Sequence, residues 1–304
     1  MLAKTLISVV GPTAIGKTRL AILLAQYFDT EIISADSRQF YKEMKIGTAV
    51  PNDGELAAAK HHFIQHKSIF TAYSVGDFER DAIQLLTTLF QTHNIVVQVG
   101  GSGLYVDAVA YGLDTFPEVD PKIRESLVKK HQSEGIASLQ AKLKQLDPYH
   151  YAIVDLENPH RLIRALEVSI GSGKPYSTFL NKKKGKRPFN NIFVGLYADR
   201  EVIYNRINTR VDHMMENGLL EEAMVLFENR NLNALQTVGY KELFEYLDGQ
   251  CTIDVAISEI KKNTRRFAKR QVTWYRKNKQ VIWIGFDDVF EHSIAKITHQ
   301  IKTL

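Results

Sequence analysis

The chain has 304 residues, 44% of them hydrophobic and 24% charged, with a formal net charge of +5. These proportions belong to a globular protein with a sizeable core, and no apolar run approaches the roughly 20 residues that a membrane span needs. One cysteine, Cys251, excludes an internal disulfide framework and suits a reducing cytoplasm, and residues 1–4 lead into the first strand without room for a signal peptide.

Residues 6–10 read as a buried parallel strand and run into Gly11-Pro12-Thr13-Ala14-Ile15-Gly16-Lys17-Thr18. This fits G-x-x-x-x-G-K-[ST], a loop whose backbone N–H groups cradle phosphate oxygens, and residues 19–25 follow as a helix whose N-terminus adds its dipole. Gly11 and Gly16 admit phosphate close to the backbone, Lys17 brings a cation and Thr18 offers a hydroxyl to magnesium. The loop does not specify its guest: a nucleoside triphosphate is usual, but any diphosphate satisfies the same donors.

A second strand, 31–35, ends at Asp36-Ser37-Arg38-Gln39. Strand carboxyl ends share one crevice in open parallel sheets, so Asp36 is either catalytic or a cap on the following turn. Residues 41–51 read as a loop. The pair His61-His62 begins a short strand and is structural, since no third metal ligand stands at a suitable spacing. Ser74 to Asp77 is a capping box for a helix to Thr92. The strand at 95–99 enters a second glycine-rich turn, GGSGLY at 100–105.

From 114 to 188 strand-like runs disappear, and Asp120-Pro121 and Asn158-Pro159 mark helix starts. The second helix, closed by Gly171, carries Arg161 and Arg164 along one side. The sheet pattern returns at 192–197, followed by a helix capped by Asp199. Its Arg206 and Arg210 are either surface partners of Glu201 or Glu216, or they face the crevice and hold a leaving phosphate. Between Ala256 and Gln280 nine basic residues stand against the single acid Glu259, and a second cluster is Lys182-Lys183-Lys184-Gly185-Lys186-Arg187. Such excess implies a polyanionic partner, most simply nucleic acid. Residues 281–284 read as a last strand. The expected fold is α/β: a P-loop NTPase-like core with a parallel sheet flanked by helices, at 1–113 and 189–304, plus an inserted all-helical domain at 114–188.

The phrases GPTAIGKT at Gly11, ISADSRQFY at Ile33, IGTAVP at Ile46, GGSGLY at Gly100, NPHRLIRALEV at Asn158, RINTRV at Arg206, TVGYKE at Thr237 and TRRFAKRQVTWYR at Thr264 together resemble the bacterial tRNA dimethylallyltransferases, nearly end to end and in the family's order. The resemblance implies transfer of a dimethylallyl group from its diphosphate to N6 of adenosine 37 in the tRNA anticodon loop, with the phosphate loop holding the prenyl donor rather than ATP. It implies Asp36 as catalytic base, Thr13 and Arg210 as residues that bind the donor's diphosphate, and Lys17 and Thr18 at the loop's cation and magnesium positions. Asp36, Ser37, Arg38, Gln39, Ser102, Arg124, His160, Arg161, Leu162, Ile163, Arg164 and Lys241 resemble tRNA-contacting positions. Ile15 stands where many members carry serine, Ser102 where threonine is commoner, and Lys241 where arginine is commoner.

The expected partners are therefore the tRNA anticodon stem-loop and dimethylallyl diphosphate, with Mg2+ as cofactor, no membrane, a monomeric state and a cytoplasmic setting. Trp274 and Tyr275 read as core. Three rivals share parts of the pattern. A P-loop metabolite kinase does not need two basic clusters, an RNA-binding NTP switch leaves Asp36 and Arg210 idle, and prenyl transfer to free adenine nucleotides leaves the basic surface unexplained.

Overall fold

The computed structural model describes residues 3–180 and 186–303. It forms two compact units, Met1–Tyr111 with Arg187–Leu304, and Gly112–Lys186, so the insertion starts and ends two residues earlier than the expected 114–188. The run Lys182-Lys183-Lys184-Gly185 lies outside the described residues.

In chain order the first unit contributes β1 (Thr5–Val10), α1 (Lys17–Tyr27), β2 (Ile32–Ser34), α2 (Asp53–Ala58), β3 (His61–His62), α3 (Val75–Thr92), β4 (Ile95–Val99) and α4 (Gly103–Tyr111). The second unit holds α5 (Pro121–Glu134), α6 (Ile136–Leu146), α7 (Pro148–Tyr151) and α8 (Pro159–Ser172). The chain then returns through β5 (Asn190–Tyr197), α9 (Arg200–Glu216), α10 (Leu219–Leu226), α11 (Tyr240–Leu247), α12 (Ile253–Tyr275), β6 (Val281–Gly285) and α13 (Phe290–Lys302).

Among the described residues the strands form one parallel sheet in the order β3-β2-β4-β1-β5-β6. β1 is central and buried along its whole length, as a strand covered on both faces must be. Side-chain alternation divides it. Ile7 and Val9 pack with Leu20, Leu24 and Ile297 of α1 and α13, whereas Leu6 and Val10 pack with Phe78, Ala82 and Val106 of α3 and α4. With β1 between β4 and β5, the turns that follow β1, β2 and β4 open on the same end of the sheet.

A third core joins Tyr41 and Met44 to Leu219, Tyr240, Leu243 and Ile260, and so fastens the 41–51 loop to α10, α11 and α12. The second unit has its own core of Leu127, Leu139, Leu143, Leu162, Ile163 and Leu166. Its helix starts follow the sequence signals: Asp120 accepts from Lys122 N–H at 2.9 Å and Asn158 from Arg161 N–H at 3.2 Å. Gly171 does not close α8, which continues to Ser172 and ends at left-handed Gly173. Gly171 is small for a different reason, because a Cβ there would lie 2.4 Å from Val119 Cγ1. Asp199 occupies the N-cap of α9 but makes no side-chain cap bond. In the histidine pair, His61 Nδ1–H donates to the Ala59 carbonyl, and His62 Nε2 lies 2.5 Å from the Glu31 carboxylate.

Candidate active site

The phosphate loop is shaped by its glycines and pinned by its cations. Gly16 takes φ 107 at the mouth of α1, and Gly11 takes φ 138 where a Cβ would meet the Leu196 carbonyl oxygen at 2.8 Å. At Gly11 the smallness therefore serves the approach of β5 as well as the turn. Ala14 is held at φ 64, a strained value for a residue with a Cβ, and its carbonyl accepts from Arg206 Nε at 2.7 Å. Lys17 Nζ donates to the Pro12 carbonyl at 2.8 Å, closing the loop on itself. Ile15 is 1% exposed and packs into the core beneath the loop, which leaves the cradle to the backbone whatever residue stands there.

Thr13 is gripped twice. Its hydroxyl oxygen accepts from Arg210 Nη1 at 3.2 Å, and its N–H donates to Gln271 Oε1 at 2.8 Å. Arg206 and Arg210 are thus crevice residues and not partners of Glu201 or Glu216. Burial pushes the Lys17 ammonium down to about 8, with Asp36 supporting its charge and Arg210 opposing it. Arg210 is held below its ordinary value by burial and by Arg206, and supported by Asp36 and Glu55. Three cations around one loop, two of them disfavoured by their surroundings, form a place that an anion would stabilise.

Across from the loop, Asp36 follows β2. One carboxylate oxygen accepts from Arg38 N–H at 3.2 Å, so Asp36 does cap its turn, and the carboxylate still faces the crevice. Ser37 N–H donates to Ser102 Oγ at 3.3 Å, and the two hydroxyls stand 3.2 Å apart. Gln39 donates to the Ala49 carbonyl at 2.8 Å and Arg38 Nη1 to the Ala234 carbonyl at 2.9 Å. Both side chains anchor backbone here, and Arg38 also lines the larger cavity of the site.

Two cavities meet at this point. One, of about 360 Å3, is lined by Lys17, Thr18, Asn52, Glu55, Arg206 and Arg210; the other, of about 610 Å3, by Ser37, Ser102, Thr237, Lys241, Arg270 and Trp274. Thr13, Asp36, Thr48, Ala49 and Arg210 line both. A separate cavity of about 670 Å3 behind Pro12 contains none of Lys17, Thr18, Asp36 or Arg210.

The remaining expected RNA contacts divide by exposure. His160 and Arg161 are exposed on the first turn of α8. Arg124 and Arg164 lie 2.8 and 2.6 Å from opposite oxygens of the buried Glu167 carboxylate, which offsets part of their charge. Leu162 and Ile163 are 0% and 4% exposed, and their side chains belong to the core of the second unit. Along α12, Lys261 and Lys262 pair with Asp212 and Glu259, and Arg265 donates to Asn208, whereas Arg270 faces the larger cavity. Tyr275 is core at 1% exposure. Trp274 is not: it is 43% exposed, donates to Asp107 at 2.8 Å and lines the larger cavity.

Sequence reasoning missed Gln271 and Glu222. The Glu222 carboxylate accepts from the N–H groups of Lys45, Ile46 and Gly47 at 2.9 Å and from Tyr240 Oη at 2.6 Å, fixing the loop that carries Thr48 and Ala49. Its only sequence signal was a carboxylate in a helix first turn, which is common on any surface.

A phosphate loop at the end of a central parallel strand, with a carboxylate and the cations Lys17, Arg206 and Arg210 lining the pocket beside it, defines a P-loop-like α/β protein with an anion site. Residues 39–278 match the family described as IPP transferase, and the chain belongs to that family, the tRNA dimethylallyltransferases. It is 60% identical over 298 residues to the tRNA dimethylallyltransferase of Christiangramia forsetii, covering 98% of this chain and 99% of that one, and 55% identical over 306 residues to that of Flavobacterium johnsoniae, covering 99% of each. The crystal structure of the tRNA isopentenylpyrophosphate transferase from Bacillus halodurans superposes with a TM-score of 0.73 at 38% identity, covering 99% of this chain and 96% of that chain. A eukaryotic dimethylallyltransferase acting on tRNA gives 0.79 at 27% identity, covering 94% and 75%.

Proposed function

We propose that the protein transfers the dimethylallyl group of dimethylallyl diphosphate to N6 of adenosine 37 of tRNA, with the donor in the loop cavity and the adenine in the larger one. The observation that carries this reading is the junction of the two cavities at Asp36, Thr13 and Arg210. The anion site and a wide, partly apolar chamber share a wall that carries the Asp36 carboxylate beside Thr13 and Arg210.

In the reaction N6 attacks C1 of the dimethylallyl group, the C1–O bond breaks and its electron pair leaves with diphosphate, and the N6 proton passes to Asp36. An exocyclic amine is a weak nucleophile, so a positioned base is worth ~100- to 10000-fold. Negative charge gathers on the departing diphosphate, where the loop N–H groups, Lys17 and Arg210 meet it. Because the Thr13 oxygen already accepts from Arg210, its hydroxyl proton is available to the leaving oxygen.

The donor set suits magnesium. Thr18 and the carboxylates of Asp36 and Glu55 line one cavity, all hard oxygen ligands, and magnesium bound through substrate phosphates takes only one or two protein groups. Thr18 would hold it, and it would supply further charge neutralisation at the diphosphate.

The tRNA would present an adenine turned out of its stack, with Trp274 and Arg270 at the chamber wall suited to stacking and phosphate contact. His160 and Arg161 of α8 would grip the backbone without reading sequence. No described helix is long and apolar enough to cross a membrane. The test is to incubate the protein with magnesium, dimethylallyl diphosphate and unmodified tRNA, then digest the tRNA and analyse its nucleosides. Prenylated adenosine is expected at position 37. Unmodified tRNA together with ATP-dependent phosphorylation of a metabolite would overturn the reading.

A further inference from the structure

One side chain spans the gap between the two halves of this site. Gln271 lies on α12 and is 5% exposed. Its Oε1 accepts from Thr13 N–H at 2.8 Å, and its Nε2 donates to the Gly101 carbonyl at 2.9 Å. The two partners settle which end is oxygen, because an N–H must face an acceptor and a carbonyl a donor.

Thr13 belongs to the turn after β1 and Gly101 to the turn after β4. These strands are neighbours, paired as far as Val9 and Val99, and Gly100 N–H still reaches the Val9 carbonyl at 3.2 Å. Beyond that the turns separate, one toward the anion site and the other toward the chamber. The amide then bridges them, and the fit at Gly101 is close: a Cβ there would stand 2.1 Å from Nε2. Each end continues to a hydroxyl in the crevice, Thr13 held by Arg210 and Ser102 bonded to Ser37.

We propose that Gln271 is a positioning residue for prenyl transfer: its amide fixes the separation between the loop that holds the diphosphate and the turn that walls the adenine. The inference rests on the reading given under Proposed function and deepens it. Gln271 lines the chamber wall, with both ends of its amide engaged by the backbone of the two turns. It acts through Thr13 and the 101–102 turn, where an error of about 1 Å in the approach of two reactants costs ~100-fold in rate.

The test compares Gln271→Met and Gln271→Glu with the unaltered protein, using magnesium, dimethylallyl diphosphate and unmodified tRNA. Methionine keeps the length and loses both hydrogen bonds, whereas a glutamate keeps the acceptor and regains the donor only when protonated. At saturating substrates the single-turnover rate of Gln271→Met is expected to fall ~30- to 100-fold, with tRNA affinity within about threefold and the thermal midpoint within a few degrees. The rate of Gln271→Glu, as a ratio to the unaltered protein at each pH, is expected to rise as pH falls from 7 to 5, while the Gln271→Met ratio stays flat. A folded Gln271→Met with a rate within threefold of normal would overturn the proposal, as would a loss confined to tRNA affinity. Absence of transfer by the unaltered protein would instead count against the function. Exchange of the Thr13 amide hydrogen then decides on Gln271: at least tenfold faster in Gln271→Met supports the bridge, and an unchanged rate overturns it.

Discussion

Lys17 shows what the proposed function asks of a single side chain. Its ammonium rests on the Pro12 carbonyl, and burial lowers it from the ordinary 10.5 to about 8. On the proposed reading the protonated form binds diphosphate, and a bound anion raises its pKa again. Donor affinity is therefore full below about pH 8 and falls as pH rises through that value, by up to ~10-fold per unit while one proton is taken up on binding. The measurement is the dissociation constant of dimethylallyl diphosphate from pH 7 to 9.5, where Lys17→Met is expected to bind more weakly throughout and to lose the slope. The loop residues were legible in the sequence because phosphate recognition is local, a matter of eight consecutive positions. Gln271 was not, because its contact with Thr13 spans 258 positions of chain and depends on how α12 lies over the sheet. Trp274 was misread for a related reason: its helix buries Gln271 and Tyr275, and a neighbouring aromatic looked the same in sequence until the fold turned it toward the chamber.

Among the elements, the 45–50 segment shows how a loop without regular structure becomes a wall. Three successive N–H groups converge on Glu222, Gln39 takes the Thr48 and Ala49 carbonyls, and Tyr240 packs against Gly47. A Cβ on Gly47 would lie 2.6 Å from the Tyr240 ring, with no room to retreat because Tyr240 is fully buried. Gly47→Ala is therefore expected to displace Thr48 and Ala49 and to reduce turnover by ~10- to 100-fold, since misplacement of about 1 Å has that cost. Glu222→Gln keeps an acceptor for fewer of the donors and is expected to cost ~1–3 kcal/mol of stability. Steady-state kinetics check the first and denaturant unfolding the second. The sequence marked this stretch as a loop but held no sign of its anchor, which arrives from α10 some 176 residues later. In the second unit the helix starts were readable from Asp120-Pro121 and Asn158-Pro159. The end of α8 was not, because Gly171 answers to Val119 across the fold and not to the helix terminus.

For the whole molecule, strand order does most of the positioning. With β1 between β4 and β5, and β2 beside β4, the phosphate loop, Asp36 and the 100–103 turn arrive at one crevice without any long-range motif to announce it. Continuous apolar strands and the loop that ends the first of them made this class of fold readable. The second unit has its own core, and its basic surface is only partly free, because Arg124 and Arg164 are engaged by Glu167. The sheet itself thus places Asp36 where two cavities share a wall, the position from which the proposed function draws its base.

The measurement that bears most directly on this is single-turnover prenyl transfer by Asp36→Ala at saturating tRNA and donor, with tRNA affinity determined on the same preparation. The rate is expected to drop by ~100- to 10000-fold, as befits loss of a positioned base, while tRNA affinity changes by no more than a few-fold. Normal transfer at saturation, with the deficit confined to tRNA binding, would contradict it and reduce Asp36 to a cap on its turn.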